Sequence, residues 1–323
     1  MATTKRRLGK TELEVTSIGL GCWQFSGGKG IIGGYWGTIQ QPTVDAIVRA
    51  ALAGGVDWFD TAEAYGGGRS EQALARALTA CGKKPGEVVV ATKWFPLLRT
   101  ARSLRDTIDE RIRCLAPFPI DLHQVHQPLS LSPVAAEMNA MADLVAAKKI
   151  RAVGVSNFDA RRTRAAQAAL AARGLSLASN QMRYSLLDRR IERSGVLSAC
   201  KELGVTLVAY SPLAQGILSG KFHDDPSLVT KSAGPRKLRG AFRARGLARS
   251  LPLVDALREI GKAHGVTPSQ VALAWLLQFH GDTVVAIPGA SKEGHVKDLV
   301  EAMSLVLTPR ELVALDERSR PFL

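Results

Sequence analysis

Three ionisable side chains stand just beyond three successive short apolar runs. Asp60 follows Val56–Phe59, Lys93 follows Val88–Thr92, and His126 follows Leu122–Val125. A phenol, Tyr65, lies in the segment after Asp60. Brought together, a carboxylate, an ammonium, an imidazole and a phenol can deliver a proton to a carbonyl oxygen. A free tyrosine has a pKa near 10, too high for an efficient acid at neutral pH. A lysine cation beside it favours the phenolate and lowers that value. Asp60 can hold Lys93 and keep it charged, and His126 can hydrogen-bond the oxygen that receives the proton. Each residue alone also has an ordinary reading: Asp60-Thr61 as a turn cap, Lys93 as a solvated cation, His126 as a structural imidazole. Their recurrence at three strand ends in a row is what points to one site.

The elements that must position them alternate along nearly the whole chain. Strand runs are expected at Ser17–Leu20, Val56–Phe59, Val88–Thr92, Leu122–Val125, Ala152–Val155, Ala178–Asn180, Thr206–Ala209 and Val284–Ile287. Most are short and continuously apolar, as parallel strands buried on both faces are. Amphipathic helices are expected at Pro42–Ala53, Ser70–Ala80, Ser103–Leu115, Pro133–Ala147, Asp159–Ala172, Glu192–Leu203, Leu253–His264 and Pro268–Phe279. Three begin at a proline after Gln, Ser or Thr, which suits a first helical turn.

Eight such units imply an α/β fold closed as a (β/α)8 TIM barrel, with residues 1–323 as one domain. An open doubly wound sheet competes, but Gly19-Leu20-Gly21-Cys22-Trp23-Gln24 fails its glycine-rich turn at the sixth position, and no helix follows directly. Leu8–Val15 reads as an N-terminal β-hairpin around Gly9-Lys10, a lid for the barrel bottom. Thr308–Arg318 reads as an extra C-terminal helix, with Thr308 as cap, Pro309 in the first turn and Glu311 at the third position. Ser26–Gly37 is a Gly-rich loop holding Tyr35 and Trp36. Gln215–Arg249 is too long for a simple strand-to-helix connection.

Composition narrows the function classes. The 323 residues are 46% hydrophobic and 22% charged, ordinary for a globular chain. Cys22, Cys81, Cys114 and Cys200 form no CxxC pair, which argues against a zinc site or disulfide framework and fits a reducing cytosol. Met1 to Arg7 has no signal-peptide core, and no stretch is long and apolar enough to span a bilayer. A cytoplasmic protein that binds neither membrane nor nucleic acid is expected. The net charge of +14 is uneven: Lys231, Arg236, Lys237, Arg239, Arg243, Arg245 and Arg249 follow one another without an acid. Three readings of that run are open: a solvated loop, a wall for an anionic cofactor or substrate, or a nucleic-acid or membrane surface. Only Phe242 interleaves it, which weakens the third.

In a TIM barrel all strand ends that precede helices open on one face. Ser156 and Asn157 follow the fifth strand, Gln181 the sixth, and Tyr210 and Ser211 the seventh. Trp23, Trp36 and Phe25 after the first strand, with Trp94 and Phe95 after Lys93, form either an apolar substrate pocket or packing under the loops. Trp275 belongs to the core of a helix face. His123 faces away from the barrel towards a helix, and His264 and His280 are helix-end residues. Glu63 either tunes the four groups or is a solvated carboxylate.

These motifs together resemble the aldo-keto reductase superfamily. The matching segments are Asp60-Thr61-Ala62-Glu63-Ala64-Tyr65-Gly66, Ala91-Thr92-Lys93, Asp121-Leu122-His123-Gln124-Val125-His126, Gly154-Val155-Ser156-Asn157-Phe158, Asn180-Gln181 with Tyr184, Ala209-Tyr210-Ser211-Pro212-Leu213 and Ile287-Pro288-Gly289-Ala290. They fall in family order, one per strand end. The long connection after the seventh strand is similar to the bacterial and potassium-channel-β-like branch.

The resemblance implies a catalytic set of Asp60, Tyr65, Lys93 and His126, and NADPH lying across the barrel mouth. It implies that Ser156, Asn157 and Gln181 bind the carboxamide and that Tyr210 stacks on the nicotinamide. Ser211, Leu213, Gly216, Ser219 and Lys221 would then line the pyrophosphate. The segment Gly289–Leu299, with Ile287 before it, would hold the adenosine phosphate. That segment departs from the family's Arg, Gln and Glu-Asn positions, which here are Ser291, His295 and Asp298-Leu299. Lys292, then His295 or Lys297, is the expected 2′-phosphate partner, and the basic surroundings favour NADPH over NADH.

The expected reaction is reduction of a small-molecule aldehyde or ketone, with Tyr65 as general acid and no metal. Two rivals are a nucleotide-sensing regulatory subunit with little turnover and a Schiff-base aldolase using Lys93. The pattern is compatible with a monomer or a homo-oligomer.

Overall fold

The computed structural model describes residues 5–28, 35–231 and 239–323. Two short antiparallel strands, β1 (Lys5–Arg7) and β2 (Glu14–Thr16), form the N-terminal hairpin. The strands β3 (Leu20–Gly21), β4 (Trp58–Asp60), β5 (Val89–Trp94), β6 (Ile120–Val125), β7 (Ile150–Ser156), β8 (Leu177–Arg183), β9 (Thr206–Tyr210) and β10 (Val284–Ile287) follow. They run parallel, each bonded to the next in chain order. Parallel bridges Ile18–Ala286 and Gly21–Gly289 join the first strand to the last. The Gly19 amide donates to the Ala286 carbonyl at 2.9 Å, and the Ala286 amide donates to Ser17 at 3.0 Å. This closure makes the (β/α)8 barrel and removes the open sheet from consideration.

The hairpin seals one end. Leu8, Leu13 and Val15 pack with Trp58, Leu122, Ala178, Val208 and Val285 in a cluster inside the barrel. Burying large apolar side chains of this kind stabilises by about 1.5–3 kcal/mol each. Trp58 Nε1 also donates to the Thr16 carbonyl at 2.9 Å. Gly9 turns the hairpin at φ +60°, and a Cβ there would lie 2.7 Å from the Ala178 carbonyl oxygen. The turn is pressed against β8 too closely for any side chain.

Helices α1 (Gln41–Ala53), α2 (Arg69–Ala80), α3 (Arg102–Leu115), α4 (Val134–Ala146) and α5 (Ala160–Ala171) lie within two residues of their expected bounds. The single helix expected over Glu192–Leu203 is two, α6 (Arg190–Arg193) and α7 (Val196–Leu203), because Gly195 adopts φ +78° between them. The region after β9 is more ordered than the expected loop. It contains a 3-10 turn at Ala214–Ser219, α8 (Lys221–Asp224), α9 (Ser227–Thr230) and a 3-10 turn at Gly240–Phe242. Phe222 and Phe242, both buried, pack edge to face and anchor it.

Next, α10 (Ala244–His264) starts nine residues before its expected position and carries Pro252 in its interior. Proline removes one backbone donor, but this one is on the exposed face, where water can satisfy the carbonyl left over. Then come α11 (Pro268–Gln278), α12 (Glu293–Ala302) and α13 (Pro309–Ser319). Thr267 with Gln270 and Thr308 with Glu311 form full capping boxes at α11 and α13. Of the basic run, Arg236 and Lys237 lie outside the described residues. Arg249 donates to the Pro321 carbonyl and covers the Phe322 ring, so this cation fastens the C-terminus.

Candidate active site

Strand alternation decides which side chains enter the barrel. Asp60 ends β4, Lys93 is the fifth residue of β5, and His126 follows β6 directly. Asp60 and Lys93 are therefore inside their strands rather than beyond them. Tyr65 is in the loop between β4 and α2, and its ring swings back over this end. Lys93 is fully buried. Its ammonium donates to Asp60 Oδ1, to the Thr61 carbonyl at 2.8 Å and to Tyr65 Oη at 3.4 Å. Tyr65 and His126 meet edge to face, with ring centres 5.5 Å apart.

The second oxygen of Asp60 is also occupied. Gln124 Nε2 and Gln181 Nε2 each donate to Oδ2 at 2.9 Å, and Gln181 also donates to Gln124 Oε1 at 3.2 Å. Gln124, part of the matching segment Asp121–His126, thus contacts Asp60 directly. The signal was present in the sequence: Gln124 is two residues from Leu122 and two from His126, so it shares the inward face of β6 with Leu122 and lies in line with His126 just beyond the strand. His123, between them, faces outward as expected. It is buried, its pKa pushed down to about 3 by burial and, more weakly, by the Arg111 charge.

The electrostatics correct one expectation. Lys93 does favour the Tyr65 phenolate, but burial outweighs it, and the phenol's pKa is raised rather than lowered. Tyr65 is thus a protonated phenol at neutral pH, able to give its proton and in need of a developing negative charge to take it. Burial opposes the Lys93 charge, yet Asp60 and Tyr65 more than offset this, and its pKa is raised. Burial and then the Lys93 charge hold His126 well below its ordinary value. His126 is neutral there and acts as a hydrogen-bonding imidazole, not as a cation.

These groups floor a cavity of about 860 Å³ at the open end of the barrel, within the range of small-molecule and cofactor sites. Asp60, Tyr65 and His126 line it, and Lys93 lies beneath. Ser156, Asn157, Gln181, Tyr210, Ser211, Leu213, Gly216, Ser219, Lys221, Ile287, Gly289, Ser291 and His295 all reach its wall, as do Trp23, Trp36 and Phe95.

Trp94, Lys292, Lys297 and Phe25, also expected there, do not. Trp94 follows the inward-pointing Lys93 and so points outward. It is 1% exposed in the core, with Nε1 donating to Ser103 Oγ of α3 at 3.0 Å. Lys292 caps α12 outside the lining, although its charge still acts on the His295 ring. Phe25 also packs in the core. Glu63 is neither solvated nor in the lining. It accepts from the Phe95 amide and from Arg99, bracing two loops. Residues 29–34 of the Gly-rich loop lie outside the described residues.

Asp298 of the expected adenosine-phosphate segment and Arg239 of the basic run also line the cavity, together with Gln24, Tyr35, Gln215 and Ser269, which carried no expected role. Tyr35 Oη donates to Gln215 Oε1 at 2.9 Å, joining the loops after β3 and β9. The aromatic wall is ordered. Trp23 stacks on Tyr65 at 5.7 Å and on Tyr35 at 4.8 Å, and Trp36 meets both Trp23 and Tyr35 edgewise.

The lining suits a long ligand that is part aromatic and part anionic. Tyr210 offers a ring face, and its hydroxyl donates to Asn157 Oδ1 at 3.1 Å, which fixes the Asn157 amide. Beyond it, Ser211, Ala214, Gln215 and Gly216 all take positive φ, so the chain curls tightly past hydroxyls and Lys221. Among the described residues, the buried lining atoms Gln24 Oε1 and His126 Nδ1 have no hydrogen-bond partner. Buried polar atoms left unpaired are costly, so a polar ligand fits this cavity better than an apolar one. Among the described residues no group of His, Cys, Asp and Glu could hold a metal ion. No helix among them is long and apolar enough to cross a membrane.

Comparison with known proteins agrees with this fold. The model of the aldo/keto reductase family matches residues 17–320. An uncharacterized oxidoreductase of Mycobacterium tuberculosis is 38% identical over 309 residues, covering 96% of this chain and 91% of the relative. The aldo-keto reductase YhdN of Bacillus subtilis is 31% identical over 313 residues, covering 94% and 90%. Among solved structures, a glycerol dehydrogenase from Gluconobacter oxydans superposes with TM-score 0.83 at 26% identity, covering 100% of this chain and 97% of the other. A thermostable aldo-keto reductase bound to the inhibitor epalrestat superposes with TM-score 0.77 at 29% identity, covering 98% and 99%.

Proposed function

Since the chain belongs to the aldo-keto reductase family, we propose that it is an NADPH-dependent reductase of aldehydes or ketones with Tyr65 as its general acid. The observation that carries this reading is the buried Lys93 ammonium. It is held by Asp60 below the cavity floor, within hydrogen-bonding distance of the Tyr65 hydroxyl. When bound, the reduced nicotinamide dinucleotide supplies the hydride.

The chain's own residues supply the rest. Tyr65 Oη passes its proton to the carbonyl oxygen as negative charge grows there. Lys93, whose charge is secured by Asp60, stabilises the phenolate left behind, a preorganised electrostatic role. Neutral His126 hydrogen-bonds and orients the same oxygen. Gln124 and Gln181 keep Asp60 aimed at Lys93. Asn157, steadied by Tyr210, and Ser156 hold the carboxamide, and the Tyr210 ring covers the nicotinamide face.

Ser211, Ser219 and Lys221 receive the pyrophosphate. Ser291, His295 and Lys292 receive the adenosine end. Lys221 and Lys292 both act on His295, which supports a 2′-phosphate there and NADPH over NADH. The aromatic wall of Trp23, Tyr35 and Trp36 with Phe95 takes the substrate and keeps water from the transferred proton. A fluorescence titration with NADPH and NADH, followed by an aldehyde and ketone panel read at the nicotinamide absorbance band, tests the reading. Failure to bind either dinucleotide would end it.

A further inference from the structure

Two sets of cations that share no member lie around the cavity, and of these Lys221 and Arg239 line it. Lys221 and Lys292 act on the His295 ring. Arg183, Arg190 and Arg239 act on the Tyr210 hydroxyl. As proposed above, the first set receives the phosphates of the dinucleotide, and no ligand is assigned to the second. Within it, Asp188 pairs with both Arg190, at 2.8 Å, and Arg183, at 3.3 Å, so one carboxylate serves two guanidinium groups. Arg239 lines the cavity and forms no ion pair among the described residues. Its guanidinium sits on the face of Tyr35, 5.7 Å from the ring centre. The hydrogen bond from Tyr35 to Gln215 holds that ring in place. Tyr35 stacks on Trp23, and Trp23 stacks on Tyr65. One continuous wall therefore runs from the acid, over two further rings, to a cation that forms no ion pair among the described residues.

We propose that Arg239 binds an anionic group of the substrate, so that the preferred substrate is an aldehyde or ketone carrying a carboxylate or phosphate at the end remote from its carbonyl. This rests on the carbonyl-reductase reading above. The carbonyl end meets Tyr65, the intervening chain lies along Trp23 and Tyr35, and the charged end meets a guanidinium shaped for planar oxyanions. The anion keeps all its bonds. At the other end the carbonyl π bond breaks, a C–H bond forms with the incoming hydride and an O–H bond with the Tyr65 proton. The carbonyl is reduced to an alcohol as the dinucleotide is oxidised.

The test compares linear aldehydes of graded length that end in a carboxylate, a phosphate monoester or a methyl group. Each is assayed with the wild type, Arg239→Gln and Arg239→Lys. At low salt the wild type should prefer an anionic member over its neutral match by roughly tenfold or more in kcat/KM, as a charged hydrogen bond provides. The preference should shrink as salt screens the exposed guanidinium. Arg239→Gln should abolish it, and Arg239→Lys should keep part of it. Whether the carboxylates or the phosphates gain more identifies the anion. An equal anionic-to-neutral ratio in wild type and Arg239→Gln overturns the proposal. So does a loss of NADPH affinity in Arg239→Gln with that ratio unchanged, which would give Arg239 to the cofactor phosphates. Calorimetric titration with linear carboxylates that lack a carbonyl reads the contact without turnover. If no aldehyde is reduced, the reductase reading fails by itself, and Arg239-dependent carboxylate binding still decides the role of this residue.

Discussion

Replacing Asp60 with asparagine keeps the side-chain shape and removes its charge. Lys93 is fully buried and Asp60 is 2% exposed, so neither is compensated by water. One carboxylate oxygen faces the ammonium, and the other accepts from the Gln124 and Gln181 amides. An asparagine has one acceptor oxygen. Whichever way its amide turns, an NH2 group meets a donor. Removing one partner of a buried pair costs about 3–5 kcal/mol. A ceiling follows independently, because the stranded lysine can give up its proton instead. From its ordinary value of 10.5, doing so at pH 7 costs about 5 kcal/mol at ~1.36 kcal/mol per pH unit.

The sign with pH is definite. In the wild type Lys93 has a raised pKa, so its contribution is whole below 10.5 and is lost only as pH rises beyond that. In Asp60→Asn its pKa becomes depressed, so the penalty is large at neutral pH and fades as pH climbs towards 10.5. Urea unfolding of both proteins at pH 7 and pH 9.5 should show the stability gap shrinking by roughly 3 kcal/mol. A gap of the same size at both values would refute a charged Lys93 held by Asp60.

Other outcomes follow from the same geometry. Tyr65→Phe should lower aldehyde reduction by about 10²–10⁴-fold while NADPH titrates normally; turnover close to wild type would remove Tyr65 as the donor. His123→Leu should flatten the acid side of the stability profile. Folded His123 is neutral down to about 3 and the unfolded residue titrates near 6.5, so its contribution is whole above 6.5 and lost as pH falls. The variant should lose up to one proton of slope, about 1.4 kcal/mol per pH unit, in urea midpoints measured between pH 7 and 4.5; parallel profiles would contradict this. Thr308→Ala removes the capping box of α13 and should cost ~1 kcal/mol, seen as faster amide exchange within Pro309–Ser319 and not in the barrel strands.

The barrel was legible in the sequence because strands buried on both faces read as mostly apolar runs, and each of the eight expected runs overlaps a strand, the first of them only at Leu20. Their ends were less legible. Asp60 and Lys93 lie inside β4 and β5 because the barrel mouth accepts polar side chains that an apolar criterion stops at. The same alternation that turns Lys93 inward sends Trp94 outward, which pattern alone could have shown. Gln124 was recoverable likewise. The Tyr65 pKa was not, since it depends on how far three-dimensional burial outweighs one neighbouring charge. Nor was the contact of Tyr35 with Gln215, which joins residues from the two loops least marked by periodicity. The segment after β9 read as loop because its helices are single turns, too short to carry a period.

The bridges from Ile18 to Ala286 and from Gly21 to Gly289 have a consequence for synthesis. Arg6 likewise donates to the carbonyls of Leu277 and Val284, so the sealing hairpin also depends on residues made much later. A nascent chain leaving the ribosome can pair seven strands in order, yet it exposes two unpaired sheet edges until β10 emerges. Such edges invite pairing with other chains. Termination between Tyr210 and Val284 therefore leaves seven strands as an open sheet with both edges exposed to aggregation. The ring of strands makes the molecule an all-or-nothing product of translation.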